Sequence, residues 1–148
     1  MATLLAIRDA GLPQPAAAVP ISPWVDMEAT GATMTSNAGK DVLIQEGLIK
    51  GLADAFLQGS DPRQPLAAPL HADLTGLAPL YIQVGGDETL LDDARRLAER
   101  ATAAGVDTRL EVFPEMQHVF QIAAGALPEA DDAWRKVADY LRPRLGLV

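Results

Sequence analysis

Apolar residues along the chain recur with two periods, one suited to helices and one to strands. Thr3 to Ala10 is short, apolar and helical in pattern, and it stops at Gly11 and Pro13 as helices do. Ala16 to Ile21 (AAAVPI) reads as a short buried strand, with Pro20 as an objection, and Ser22-Pro23-Trp24 ends it. Residues 28–40 are rich in Gly, Thr, Ser and Asn and read as loop. Asp41 is placed to cap a helix reaching Leu57, with Ile44, Leu48, Leu52, Ala55 and Phe56 on one face. After a proline-rich loop, Pro79 to Val84 (PLYIQV) gives a second strand. Gly85-Gly86 then lead to a helix over Thr89 to Ala104, striped by Leu90, Leu91, Ala94, Leu97, Ala98 and Ala101. Within it Asp92 and Arg96 are spaced to pair. Thr108 to Phe113 alternates polar and apolar residues as a third strand. The last helix starts near Pro128, ends before Pro143 and turns Ala130, Trp134, Val137 and Leu141 inward. Strands alternating with helices of this length predict an α/β fold: three mainly parallel strands, right-handed crossovers and flanking helices.

Composition narrows the function classes. A chain of 148 residues, 49% hydrophobic and 22% charged, suits one globular domain with a real core. The net charge of −8 repels phosphate backbones and argues against nucleic-acid binding. With no cysteine, disulfides, thiolate metal sites and cysteine nucleophiles drop out. No apolar run approaches the roughly 20 residues a spanning helix needs. The residues after Met1 lack a signal-peptide pattern, so a soluble cytoplasmic chain is the expectation.

In open α/β sheets the chemistry gathers in loops at the carboxyl ends of strands. Two such loops carry suitable groups: Gly85-Gly86-Asp87-Glu88 after PLYIQV, and Glu115 to Phe120 after TRLEVF. Neighbouring parallel strands would bring Asp87 and His118 to one rim, where a carboxylate can orient an imidazole acting as general base. The plainer alternatives are a turn or cap role for Asp87 and a surface role for His118. His71, the other histidine, lies in a proline-rich loop and is read as ordinary surface. The string GGDET resembles the GGDEF signature of diguanylate cyclases, but Thr89 replaces the Phe and a helical pattern follows.

From Ile21 to Phe120 the chain resembles the hormone-sensitive-lipase-like branch of the α/β-hydrolases, through ISPWVDM, HADLTGLAPLYIQVGGDETLLDDARRLAERATAAGV and LEVFPEMQHVFQ. The resemblance implies a partial α/β-hydrolase fold, with residues 28–70 as part of a cap. It also implies a catalytic order Ser, Asp/Glu, His, with Asp87 as the acid and His118 as the base. Trp24 and Phe120 become candidates for lining an acyl pocket. The implied substrate is a small acyl ester, and no metal or organic cofactor is implied. A Gly-x-Ser-x-Gly elbow and a His-Gly-Gly-Gly oxyanion loop are missing, and Ser22, Ser36 and Ser60 lack the glycine neighbours of an elbow. The resemblance therefore implies a C-terminal portion that supplies acid and base, with negligible turnover until an upstream serine joins it. The alternative is a non-catalytic interaction module, with a homodimer pairing through Thr108 to Phe113.

Overall fold

The computed structural model describes residues 1–147. Its helices are α1 (Ala2–Asp9), α2 (Thr33–Ser36), α3 (Glu46–Leu57), α4 (Leu91–Ala103) and α5 (Pro128–Arg144); its strands are β1 (Leu80–Gly85) and β2 (Thr108–Phe113). The two strands are parallel and paired from Leu80↔Thr108 to Gly85↔Phe113. Helix α4 is the crossover between them.

The expected first strand survives only as isolated parallel bridges, Ala18↔Leu80 and Ile21↔Gln83. Its bonds to β1 follow a ladder nonetheless: Ala18 N–H donates to Pro79 O, Tyr81 N–H to Ala18 O, Gln83 N–H to Pro20 O and Ser22 N–H to Gln83 O. The rung that Pro20 would donate does not exist, because proline has no N–H. One absent donor thus divides a strand into two bridges. With this segment on one side and β2 on the other, β1 lies at the centre and every one of its residues is buried.

Alternation along β1 distributes its side chains to two layers. Leu80, Ile82 and Val84 pack with Leu91, Ala94, Leu97, Ala98 and Ala101 of α4 and with Leu4 and Leu5 of α1. Tyr81 faces the other way, onto Val137 and Tyr140 of α5. Gln83, on the same face, donates to the Ala133 carbonyl of α5 at 3.0 Å.

Several expectations are corrected in detail. Helix α3 begins at Glu46, not at Asp41. Asp41 is buried and does something else: its Oδ1 accepts from the N–H groups of Leu43 and Ile44, and its Oδ2 from the N–H and hydroxyl of Thr89. The buried stripe of α3 is Ile49, Ala53 and Leu57, while Leu48, Leu52 and Phe56 face solvent. Helix α4 starts at Leu91, since Asp41 holds Thr89 in the preceding turn. Arg96 does not bridge to the Asp92 carboxylate; it reaches Asp26 and Asp93, both at 3.0 Å. Pro143 lies inside the last turn of α5, and Tyr140 rather than Trp134 completes that helix's buried face. Trp134 stays 44% exposed, its indole N–H on the Gln121 carbonyl. No helix among the described residues is long and apolar enough to cross a membrane.

Candidate active site

The ends of β1 and β2 lie side by side because their last residues, Gly85 and Phe113, are partners in the sheet. The loops that follow are joined by backbone bonds: Gly86 N–H donates to Phe113 O at 2.7 Å and Asp87 N–H to Met116 O at 3.2 Å. This close crossing requires glycine. A Cβ on Gly85 would stand 2.2 Å from the Met116 carbonyl oxygen, inside any permissible contact. The GG pair therefore lets the histidine-bearing loop lie across the mouth of β1.

His118 stands at this rim, 23% exposed, with Nδ1 3.0 Å from a carboxylate oxygen. That oxygen belongs to Glu88, not to Asp87. Asp87 occupies the turn directly after β1 and points to Lys40, whose Nζ is 3.5 Å from its Oδ1. Glu88 is completely buried. Its Oε1 accepts from the Gly85 N–H and from the Ser22 hydroxyl, the latter at 2.7 Å, leaving Oε2 for the imidazole. Three groups converge on this carboxyl, and each is placed as a donor to it. In the neutral ring this arrangement places the proton on Nδ1 and leaves the lone pair on Nε2, the tautomer a general base needs.

Surrounding side chains fix the loop that carries Glu88. Asn37 Nδ2 donates to the carbonyls of Gly86 and Glu88, at 3.1 and 2.9 Å. Gln117 ties the histidine loop to the same segment, its amide donating to Lys40 O and its Oε1 accepting from Val42 N–H. Glu88, Ser22, Asn37 and Asp41 carry the site beyond the residues singled out in the sequence. The loop containing Glu88 stood out there, but two adjacent carboxylates offer no pattern for choosing between them. The buried polar contacts of Ser22, Asn37 and Asp41 join segments roughly 50 to 100 positions apart, which local periodicity does not encode.

Trp24 and Phe120 are not brought together. Phe120 is buried against Phe113, with ring centroids 5.0 Å apart, and lines an open groove of about 310 Å³ that His118, Met116 and Leu43 share. Trp24 packs towards α3, its indole N–H on the Asp26 carbonyl, and lines a separate groove with Pro23, Met27 and Phe56. His71 lies 3.8 Å from Glu28, in a cluster with Asp26 whose ligand-type atoms fall within 4.8 Å of one another. That cluster already has cations: Arg96 on Asp26 and Arg63 on Glu28. It is read as an ion-pair network.

Two buried aspartates, Asp93 on α4 and Asp26 beside it, differ in their ionisation. Burial pushes the Asp93 carboxyl up to about 6, against the N–H groups of Val25 and Asp26 and the charge of Arg96. Asp26 is also pushed up by burial, but bonds from the Thr30 hydroxyl and N–H, the Glu28 N–H and Arg96 outweigh this and leave it below the usual carboxylate value.

A family model described as alpha/beta hydrolase fold matches residues 1–122. The chain belongs to the α/β-hydrolase fold family. Its relatives within that family are hormone-sensitive-lipase-like esterases and acetyl-hydrolases. It is 46% identical over 146 residues to an acetyl-hydrolase of Streptomyces hygroscopicus, covering 99% of this chain and 49% of that protein. It is 33% identical to the esterase LipU of Mycobacterium tuberculosis, covering 90% of this chain and 47% of that one. Among solved structures, an esterase of the bacterial hormone-sensitive lipase family superposes with a TM-score of 0.95 at 51% identity, over 97% of this chain and 48% of that one. The esterase EstE5 does so with a TM-score of 0.94 at 42% identity, over 97% and 48%. The chain thus spans about half the length of these α/β-hydrolases.

Proposed function

We propose that this chain supplies the acid and base of a carboxylic ester hydrolase, with His118 as general base and Glu88, in place of Asp87, as the carboxylate that orients it. The observation carrying this reading is the His118 Nδ1–Glu88 Oε2 contact of 3.0 Å, made by a fully buried carboxyl at the joint carboxyl edge of two parallel strands. In such a hydrolase a serine hydroxyl attacks the ester carbonyl while Nε2 takes its proton. The imidazolium then passes that proton to the departing alcohol, and the cycle repeats with water on the acyl-enzyme. Glu88 holds the ring in the tautomer with Nε2 free and stabilises the positive charge as it forms. The serine and the oxyanion donors must come from outside residues 1–148, and without them the pair has nothing to activate. Turnover by this chain alone is accordingly negligible. Phe120, on the groove shared with His118, is the better candidate for touching a small acyl ester; Trp24 lies on a separate groove.

The test is a chimera in which these 148 residues replace the matching half of the Streptomyces hygroscopicus acetyl-hydrolase. It is expected to hydrolyse a nitrophenyl acetate. His118→Ala and Glu88→Gln should each lower kcat by roughly 10⁴-fold, while Asp87→Asn stays within a few-fold. Loss of turnover in Asp87→Asn with retention in Glu88→Gln would reverse the assignment of the acid. The second reading, a module that dimerises through β2, is favoured by one feature: the outer edge of β2 has no strand partner among the described residues. A monomer by sedimentation at micromolar concentration would exclude it.

A further inference from the structure

Ser22 does not resemble a nucleophile, yet its environment is unusual. It is buried, with φ +46°, a left-handed backbone that costs a non-glycine residue about 1 kcal/mol or more. Its N–H is anchored to Gln83 O of β1. Its hydroxyl accepts from the Val119 N–H at 3.1 Å and donates to Glu88 Oε1 at 2.7 Å. Val119, directly after His118, is left-handed as well, with φ +51°, a conformation that β-branched residues seldom adopt. Ser22 therefore ties the central strand, through its backbone N–H, to the carboxylate and to the strained residue beside the imidazole, both through its hydroxyl.

We infer that Ser22 is a positioning residue: its hydroxyl orients the Glu88 carboxylate towards His118 and pins the backbone that carries the ring. The inference rests on the reading of Glu88 and His118 as an acid–base pair. The chemistry suits a hydroxyl, which donates and accepts at once, and no alkyl side chain does either. The terminal torsion of a glutamate is broad, so without the second donor on Oε1 the carboxylate is free to turn its other oxygen away from Nδ1. Ser22 touches neither Nε2 nor any reacting atom in this scheme; it acts through Glu88 and Val119.

The experiment uses the 148-residue chain itself. Long-range ¹H–¹⁵N correlation reads the tautomer of His118, and hydrogen exchange reads the Val119 amide, in wild type, Ser22→Ala, Ser22→Gly and Glu88→Gln. Wild type should show the proton on Nδ1 and a protected Val119 amide. In Glu88→Gln the carbonyl oxygen stays on the Gly85 and Ser22 donors, the amide nitrogen meets Nδ1, and the proton should move to Nε2. Ser22→Gly removes the hydroxyl but relieves the left-handed strain, so it separates the side chain from the backbone conformation. Both Ser22 variants should give mixed His118 tautomers and Val119 exchange faster by about tenfold or more, with the His71 signals unmoved. If Ser22→Ala fails to fold, Ser22→Gly alone decides. Wild-type tautomer and protection in Ser22→Gly would overturn the role of Ser22 while leaving the pair intact. A wild type without the Nδ1 proton, or one that Glu88→Gln does not alter, would overturn the pair and Ser22 together.

Discussion

A side chain at position 85 would have to share space with a backbone carbonyl, and this is where a single residue governs the site most directly. Gly85 has no Cβ to collide with Met116 O, so the loop carrying His118 can cross the end of β1. Gly85→Ala forces that loop to retreat by an ångström or more, since the obstructing atom is main chain. The variant should lose about 1–3 kcal/mol of stability in denaturant titration and lose the Nδ1–Oε2 bond of His118. Unchanged stability together with an unchanged histidine spectrum would show that the crossing is loose enough to admit a methyl group. The sequence made His118 legible because a lone loop imidazole follows a clearly alternating strand. The resemblance put the acid at Asp87, whereas it is Glu88 that meets His118. Asp87 falls in the turn and faces Lys40, whereas the longer Glu88 side chain reaches back beneath the turn to Gly85 N–H. That difference depends on the turn's three-dimensional path and leaves no mark on residue type.

Among the elements, α4 was readable in the sequence and α3 was not, for a physical reason. Helix α4 has apolar residues on one side and charges on the other, so only one stripe can face the sheet. Helix α3 has apolar residues at 48, 49, 52, 53, 55, 56 and 57, and two different stripes satisfy the helical period equally. Packing selected Ile49, Ala53 and Leu57, which meet Met34, Leu90 and Ala67, and left Phe56 66% exposed. Chemical denaturation should therefore separate the stripes. Ile49→Ala is expected to cost about 2–4 kcal/mol, whereas Leu52→Glu stays within about 0.5 kcal/mol. A large loss from Leu52→Glu would mean that the outer stripe is covered in solution. The first strand is a related case: its apolar run was visible, as was Pro20, but only the bonds to β1 reveal that a single rung is missing.

For the molecule as a whole, the segment of residues 24–45 is joined to the sheet and α4 largely through buried carboxylates, and these make stability depend on pH. Asp93 binds its proton more tightly when folded than when unfolded, because burial raises it from 3.8 to about 6. Between those values the native state holds a proton that the unfolded chain has released, so stability falls as pH rises through that window. Above it, the ionised carboxylate costs about 3 kcal/mol relative to the protonated form. Asp26 has the opposite sign: held low, it contributes stability above the usual carboxylate range and loses it as pH falls through its lower folded value. Comparing wild type with Asp93→Asn isolates the first effect. The stability of wild type relative to the variant should decline by about 2 kcal/mol from pH 4 to pH 7 and then level off. A difference that stays flat over that range would mean Asp93 is ionised throughout.

The pairing of Gly85 with Phe113 has one more consequence. The loops bearing Glu88 and His118 depart from the sheet at the same level, so the distance between these two side chains is set by how the strands are aligned lengthwise. The smallest slip that keeps apolar side chains on their own face is two residues, or about 6–7 Å, and it would carry the imidazole beyond reach of any carboxylate on the adjoining loop. Alignment is enforced far from the rim, by Ile82 and Leu110 beneath α4. Damage to those interior contacts would surface as loss of the His118–Glu88 contact at a rim whose own side chains had not changed.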